Sequence, residues 1–395
     1  MSFAGRRRPP PGPANVSTTW TGTDGDGWPA PWIAKITTAG ASSSIVSNRG
    51  RIKVGGTSTP PPPPPSGTVT AYNTLGVYHG GKSPSRIAQF ESSEGINRAL
   101  PGPIVDFPPA GTSWTQRRDG LNGFLSAWAP RCIAGTDTIV MSIRPWWNDT
   151  AKTSVNMATA ATGAYDSEYV ADAQAILDAG YSAANTIIRP MWEFNGGFYL
   201  WSIWESKNGA SATADFVATW RRIVNAMRSV IPGLRFDWCP LRLTSRTPAQ
   251  VEAAYPGDSY VDYIGMDAYN HGSPTMDNTL RWQQLVQGGS SPGQFVGLQW
   301  QRDFAIDHGK LCSFAEYGAT HRNKDNQGGD DDPYYINQIL SWFDQLGADG
   351  LLGFHSYFEK DDDQGSLHQL HDYASFPRQF PFVNALAAFD ARMRG

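Results

Sequence analysis

Two glutamates in this chain sit just past apolar, strand-like runs. NTIIRPMWEFNGG carries Glu193 and KLCSFAEYGA carries Glu316. A carboxylate is costly to bury without a partner, so a glutamate in such a place is either salt-bridged or there to react. Two of them facing each other can divide an acid–base task. One carboxyl, kept protonated by burial or by the other's charge, donates to a leaving oxygen. The other stays ionised and attacks carbon. The aromatic content suits a substrate with flat apolar faces: the chain has 15 Trp, 15 Tyr and 18 Phe. Sugar rings have such faces, although large rings also fill large cores.

Other chemistries are poorly supported. The net charge of −4 provides no electrostatic footprint for nucleic acid or a membrane surface. Three cysteines, Cys132, Cys239 and Cys312, have neither paired nor zinc-ligand spacing, and the default for them is buried thiols. The acidic runs Asp330–Asp332 and Asp361–Asp363 lack an EF-hand pattern and read as solvated loops. No metal and no cofactor is expected. Arg6-Arg7-Arg8 is not followed by an apolar segment, so the start does not read as a secretory signal, and no apolar run is long enough to span a membrane.

The two glutamates need a scaffold that brings them together. TSTPPPPPPSG, residues 57–67, reads as a stiff polyproline spacer. It divides a small β-rich module, residues 1–56, from a large domain, residues 68–395. In the large domain, short apolar runs alternate with polar loops and helical patterns. Strands are predicted near Leu75–Tyr78, Ile104–Phe107, Thr138–Ile143, Thr186–Met191, Arg235–Cys239, Tyr263–Met266, Leu311–Ala315 and Leu351–His355. Eight βα units predict an α/β fold closed as a (β/α)8 TIM barrel, with reactive groups at the C-terminal strand ends. Phe216, Trp220, Ile223, Val224 and Met227 recur at helical spacing before Ile231-Pro232-Gly233, which predicts one core-facing helix. Glu193 would close the fourth strand and Glu316 the seventh.

RPMWEFNGGFYLW (residues 189–201), FVATWRRIVNAMR (216–228), YPGDSYVDYIGMDAY (255–269) and FAEYG (314–318) resemble glycoside hydrolase family 26, the family of many β-mannanases. The resemblance spans residues 70–380. It implies that Glu193 is the general acid/base, Glu316 the nucleophile, and Tyr269 a hydrogen-bond partner of the nucleophile. Phe198 stands where the family usually places a tryptophan beneath the sugar. In a retaining enzyme the two carboxyls lie about 5–5.5 Å apart. The residue before the acid/base is usually histidine in the family, whereas here it is Trp192, which offers one N–H and accepts nothing. That departure implies a reacting subsite built differently.

Trp146, Trp147, Trp201, Trp204, Tyr357 and Phe358 follow strand ends and are candidate sugar platforms. His355 and His79 also end strands and are candidates for the missing histidine's role. Asn195 and Asp267 complete the candidate substrate-binding set. Residues 16–55 resemble the opening of minor tail proteins from phages of actinobacteria. That resemblance implies a virion component that docks on other tail proteins and acts on a host cell-surface polysaccharide, without a signal peptide. A second reading keeps the barrel but gives it glycan binding without turnover, as a receptor-recognition protein.

Overall fold

The computed structural model describes residues 69–147, 155–242, 245–362 and 365–394, together with three N-terminal strands. The chain divides into two compact units, Met1–Pro60 and Pro61–Gly395. In the first, Val16–Thr18, Ile33–Thr38 and Ala41–Val46 pair as an antiparallel sheet. The proline-rich spacer lies outside the described residues, as do most of the residues that carry the tail-protein resemblance.

The second unit is a closed parallel barrel. Its strands are β1 (Leu75–Tyr78), β2 (Ile104–Asp106), β3 (Ile139–Met141), β4 (Thr186–Ile188), β5 (Arg235–Trp238), β6 (Tyr263–Gly265), β7 (Leu311–Gly318) and β8 (Leu352–Phe358). Each pairs in parallel with the next, and β8 closes on β1. Every predicted strand is present.

Alternation along the strands sorts the side chains into two sets. Tyr78, Val105, Val140, Ile187, Tyr263, Ala315 and Phe354 form a small separate cluster that fills the lumen. Their neighbours in sequence join the larger apolar layer between barrel and helices. Helix α1 (Ala212–Val230) shows the outer packing: Phe216, Trp220, Ile223, Val224 and Met227 are buried on one face, as its spacing predicted. Helix α2 (Pro333–Ala348) covers β7 and β8, and helix α3 (Val383–Met393) packs on α2.

Two local irregularities aim the glutamates. Strand β7 gains one residue against β8: Phe314 faces His355, but Tyr317 faces Tyr357. A bulge of this kind flips the side-chain alternation beyond it. Ala315 therefore fills the lumen, and Tyr317, two residues on, packs outward against Phe343 and His355. Glu316 is turned toward the barrel mouth. Past β4, Met191 (φ 50°) and Glu193 (φ 53°) both take the left-handed backbone conformation. Side chains other than glycine rarely adopt it, and such strain clusters at functional sites. The Glu193 N–H donates to the Cys239 carbonyl at 2.8 Å, which pins this kinked segment to the end of β5.

Candidate active site

The site is built on a buried cation. Two residues beyond the inward Ile187, Arg189 also points into the barrel and is fully buried. One Nη donates to Glu316 Oε1 at 2.7 Å and to Ser142 Oγ at 3.1 Å, and the other donates to Asp267. Burial alone would lower the Arg189 pKa, but the surrounding carboxylates led by Asp267 outweigh it, and the guanidinium stays charged. Glu316 is thereby fixed from below. From the side, the Tyr269 hydroxyl donates to its other oxygen at 2.7 Å. Burial, and then the charge of Glu316, hold the Tyr269 phenol neutral as a permanent donor. Tyr269 is itself packed by His271, Phe358 and His368.

Glu193 lies in different surroundings. Burial raises its pKa first and the charge of Glu316 second, against smaller opposing effects of Arg189 and a hydrogen bond from Tyr199. The carboxyl is pushed up to about 8. One carboxyl is thus biased toward its protonated form, while the other accepts hydrogen bonds from an arginine and a tyrosine. That division is what acid-assisted displacement at carbon requires.

Phe198 stands at the rim with 56% of its surface exposed, as a platform for an apolar face would. Trp192 is buried, with its indole beside Arg189 and its N–H donated to Tyr199 Oη at 3.1 Å. It is a wall of the site and not an open platform. Phe358 faces the mouth against Tyr269 and Tyr78, and Phe107 links Tyr78 to Trp192.

Several sequence candidates belong elsewhere. His355 and Tyr357 are on the outward phase of β8. His355 Nε2 bonds the Ala71 carbonyl and Nδ1 the Tyr317 hydroxyl, while Tyr357 donates to the His368 carbonyl. His79, one residue past the inward Tyr78, turns outward and bonds the Glu359 carbonyl. Trp146 is buried in the outer apolar layer. Trp201 is buried too, stacked on Tyr199 and donating to the Trp192 carbonyl at 2.7 Å. Trp204 caps the same loop through the Asn195 carbonyl. Asn195 clips the loop to Leu241 through both its amide atoms. Asp267 is fully buried under the site as a counter-charge of Arg189 and does not line the mouth.

One residue of each acidic run, Asp332 and Asp361, is buried. Asp332 accepts from Asn270, Asn278 and the Tyr335 amide. Asp361 accepts from the amides of His368, Gln369 and Gln379. The described cysteines are free and buried. Sequence reasoning missed Arg189 and Tyr199. A lone arginine in NTIIRPM, in phase with Ile187, was a readable signal, whereas nothing in GFYLW separates Tyr199 from its neighbours.

Residues 152–297 match the profile of glycosyl hydrolase family 26. Glu193 and Tyr269 fall within that span, and Glu316 falls beyond it. A mannan endo-1,4-beta-mannosidase of Bifidobacterium adolescentis is 26% identical over 157 residues, 39% of this chain and 14% of that protein. Endoglucanase H of Acetivibrio thermocellus is 30% identical over 101 residues, 25% of this chain and 11% of that protein. The chain thus matches about a seventh or less of the length of these relatives. Among solved structures, the catalytic domain of a Bacillus sp. JAMB-750 endo-beta-1,4-mannanase superposes with a TM-score of 0.53 at 15% identity, covering 81% of this chain and 86% of that one. A modular endo-beta-1,4-mannanase from Cellulomonas fimi gives 0.53 at 16% identity, covering 81% and 70%. A beta-mannanase from Bacteroides ovatus gives 0.51 at 14%, covering 82% and 89%. At these identities the likeness concerns the fold.

Proposed function

We propose that this chain is a retaining glycoside hydrolase of the family 26 type that cleaves a mannan-like polysaccharide, with Glu193 as acid/base and Glu316 as nucleophile. The observation that carries the reading is the asymmetric pair: a Glu316 held by Arg189 and Tyr269, beside a Glu193 whose pKa burial and the Glu316 charge raise. In the first step Glu316 bonds to the anomeric carbon as the glycosidic C–O bond breaks, and the Glu193 proton passes to the leaving oxygen. In the second, water gives a proton to Glu193 as its oxygen bonds to that carbon and the ester to Glu316 breaks. The family match and the relatives' activities support a β-linked mannose or glucose backbone.

The N-terminal resemblance supports a finer reading: a phage tail component, attached through residues 1–56, that opens a host cell-surface polysaccharide. Trp192 in place of the family histidine favours a second reading, binding without turnover. The test uses the full chain with β-1,4-mannan, mixed-linkage β-glucan and isolated actinobacterial wall polysaccharide. Product release that disappears in Glu316→Gln is expected. Glycan binding with no products from either protein would replace hydrolysis with receptor recognition.

A further inference from the structure

His368 is wedged beside Tyr269, the residue that donates to Glu316. The two ring centres are 4.5 Å apart, and the imidazole meets Phe358 edge-on at 5.5 Å. The residue is 4% exposed and is tied down through every polar atom but one. Its amide donates to Asp361 Oδ1 at 2.8 Å, and its carbonyl accepts from the Tyr357 hydroxyl at 3.0 Å. Nδ1 stands 3.0 Å from the Ala319 carbonyl and 3.2 Å from Thr320 Oγ1, both just past β7. A carbonyl only accepts, so Nδ1 carries the hydrogen, and Nε2 of the neutral ring is left with its lone pair. Burial, helped by Arg322, lowers the pKa to about 4 against the Ala319 carbonyl, Asp362 and Asp361, so the ring stays neutral. Among the described residues Nε2 has no hydrogen-bond partner, yet unlike His79 Nε2 it is not sealed from solvent.

We propose that His368 Nε2 binds substrate in the reacting subsite, as a fixed acceptor for one sugar hydroxyl beside Tyr269 and Phe358. This deepens the hydrolase reading and rests on it. The donors around the site are already engaged within the protein: Arg189 and Tyr269 donate to Glu316, and the Trp192 N–H goes to Tyr199. A sugar brings hydroxyl protons that need acceptors when water is excluded, and a bare imidazole nitrogen takes one without the desolvation of a charge. The ring is placed by the short strand before it. Ser366–Leu367 pairs with His321–Arg322, which ties the segment after β8 to the segment after β7. An imidazole thus reaches the site from the β8 side, where position 192 offers only an indole. Such an acceptor selects for a free hydroxyl, because methylation or acylation there removes the proton.

The test uses the full chain carrying Glu316→Gln, chosen to bind without cleaving, with β-1,4-mannohexaose and a mixed-linkage β-glucan hexasaccharide as probes. Histidine ¹⁵N NMR of the free protein at neutral pH should show His368 with Nδ1 protonated and Nε2 bare. The Nε2 signal is assigned by its loss in His368→Phe. On saturation with a probe that binds, it moves upfield as the nitrogen accepts a hydrogen bond. His368→Phe keeps a ring against Tyr269 and removes the acceptor, and should weaken probe binding by about 3–10-fold. In the chain with Glu316 intact, the same substitution should lower kcat/KM by a similar factor. A protonated Nε2 in the free protein, or an Nε2 signal that does not move when a probe binds, overturns the proposal, even if the wild type releases sugar. Undiminished binding by a folded His368→Phe protein, or failure of both probes to bind, overturns it too. A shifted Nε2 in a chain whose wild type releases no product supports the acceptor and removes the hydrolase reading.

Discussion

At the residue scale the argument rests on how differently two glutamates are surrounded. A carboxyl whose pKa rises on folding binds its proton more tightly folded than unfolded, so stability falls as pH rises between the two values. For Glu193 that window runs from about 4.5 to about 8. Glu193→Gln is therefore expected to be more stable than wild type at pH 9 and nearly equal to it at pH 4, as measured by denaturant midpoints. In the proposed mechanism the same substitution removes the acid, and kcat should fall roughly 10²–10⁴-fold. In the wild type, kcat/KM should fall as pH rises through about 8, because the free enzyme then loses its proton. Arg189 makes the opposite kind of prediction. Arg189→Met leaves Glu316 and Asp267 buried without their cation, and should cost about 3–5 kcal/mol of unfolding free energy. A loss below 1 kcal/mol would mean that the guanidinium does not neutralise them. Glu193 and Glu316 stood out because residue type and strand-end position coincide, whereas Tyr269 was named through the family resemblance. The placement of Tyr199 was not legible, because it depends on a hydrogen bond from a residue seven positions earlier and on stacking against Trp201.

At the element scale, strand existence was legible and strand phase was not. Eight apolar runs separated by helical patterns suffice for the barrel. Which face each residue takes depends on inward or outward phase, and a single extra residue in β7 reverses it. His355 and Tyr357 were read as mouth residues because they follow an apolar run, yet β8 continues to Phe358 and it is Phe358 that faces in. His79 fails for the same reason, one residue beyond the inward Tyr78. The barrel also requires close strand contact that composition hides. A Cβ on Gly76 would lie 2.0 Å from the Pro103 carbonyl oxygen and 2.6 Å from Ser356 Oγ. Gly76→Ala must push β1 away from its neighbours and should cost about 1–3 kcal/mol, with a lowered thermal midpoint as the readout. An unchanged midpoint would show that β1 has more room than this packing allows.

At the scale of the whole molecule, the barrel is tied to its last helix by a buried charge cluster. His371 lies between Glu359, just past β8, and Asp390 on α3, at 3.0 and 3.3 Å. Burial would lower its pKa, but Glu359 and then Asp390 outweigh this and raise it to about 9. A raised histidine contributes fully below its unfolded value and loses that contribution as pH climbs through the folded one. Stability from this clamp should fall between about pH 6.5 and 9, and His371→Gln should flatten that part of the profile. Nothing in the sequence singled out this cluster, since its members are spread over residues 359–390 and no motif joins them. The βα rhythm of the barrel was visible in composition, and the proposed pairing of Glu193 with Glu316 rests on the strands that carry both to one end of it. That pairing is tested most directly by following the anomeric proton of the first product by NMR, as the full chain cleaves β-1,4-mannan or mixed-linkage β-glucan. Retention of the β-configuration, with all release lost in Glu316→Gln, is the predicted result. An α-anomer appearing first, or undiminished release by Glu316→Gln, would contradict it.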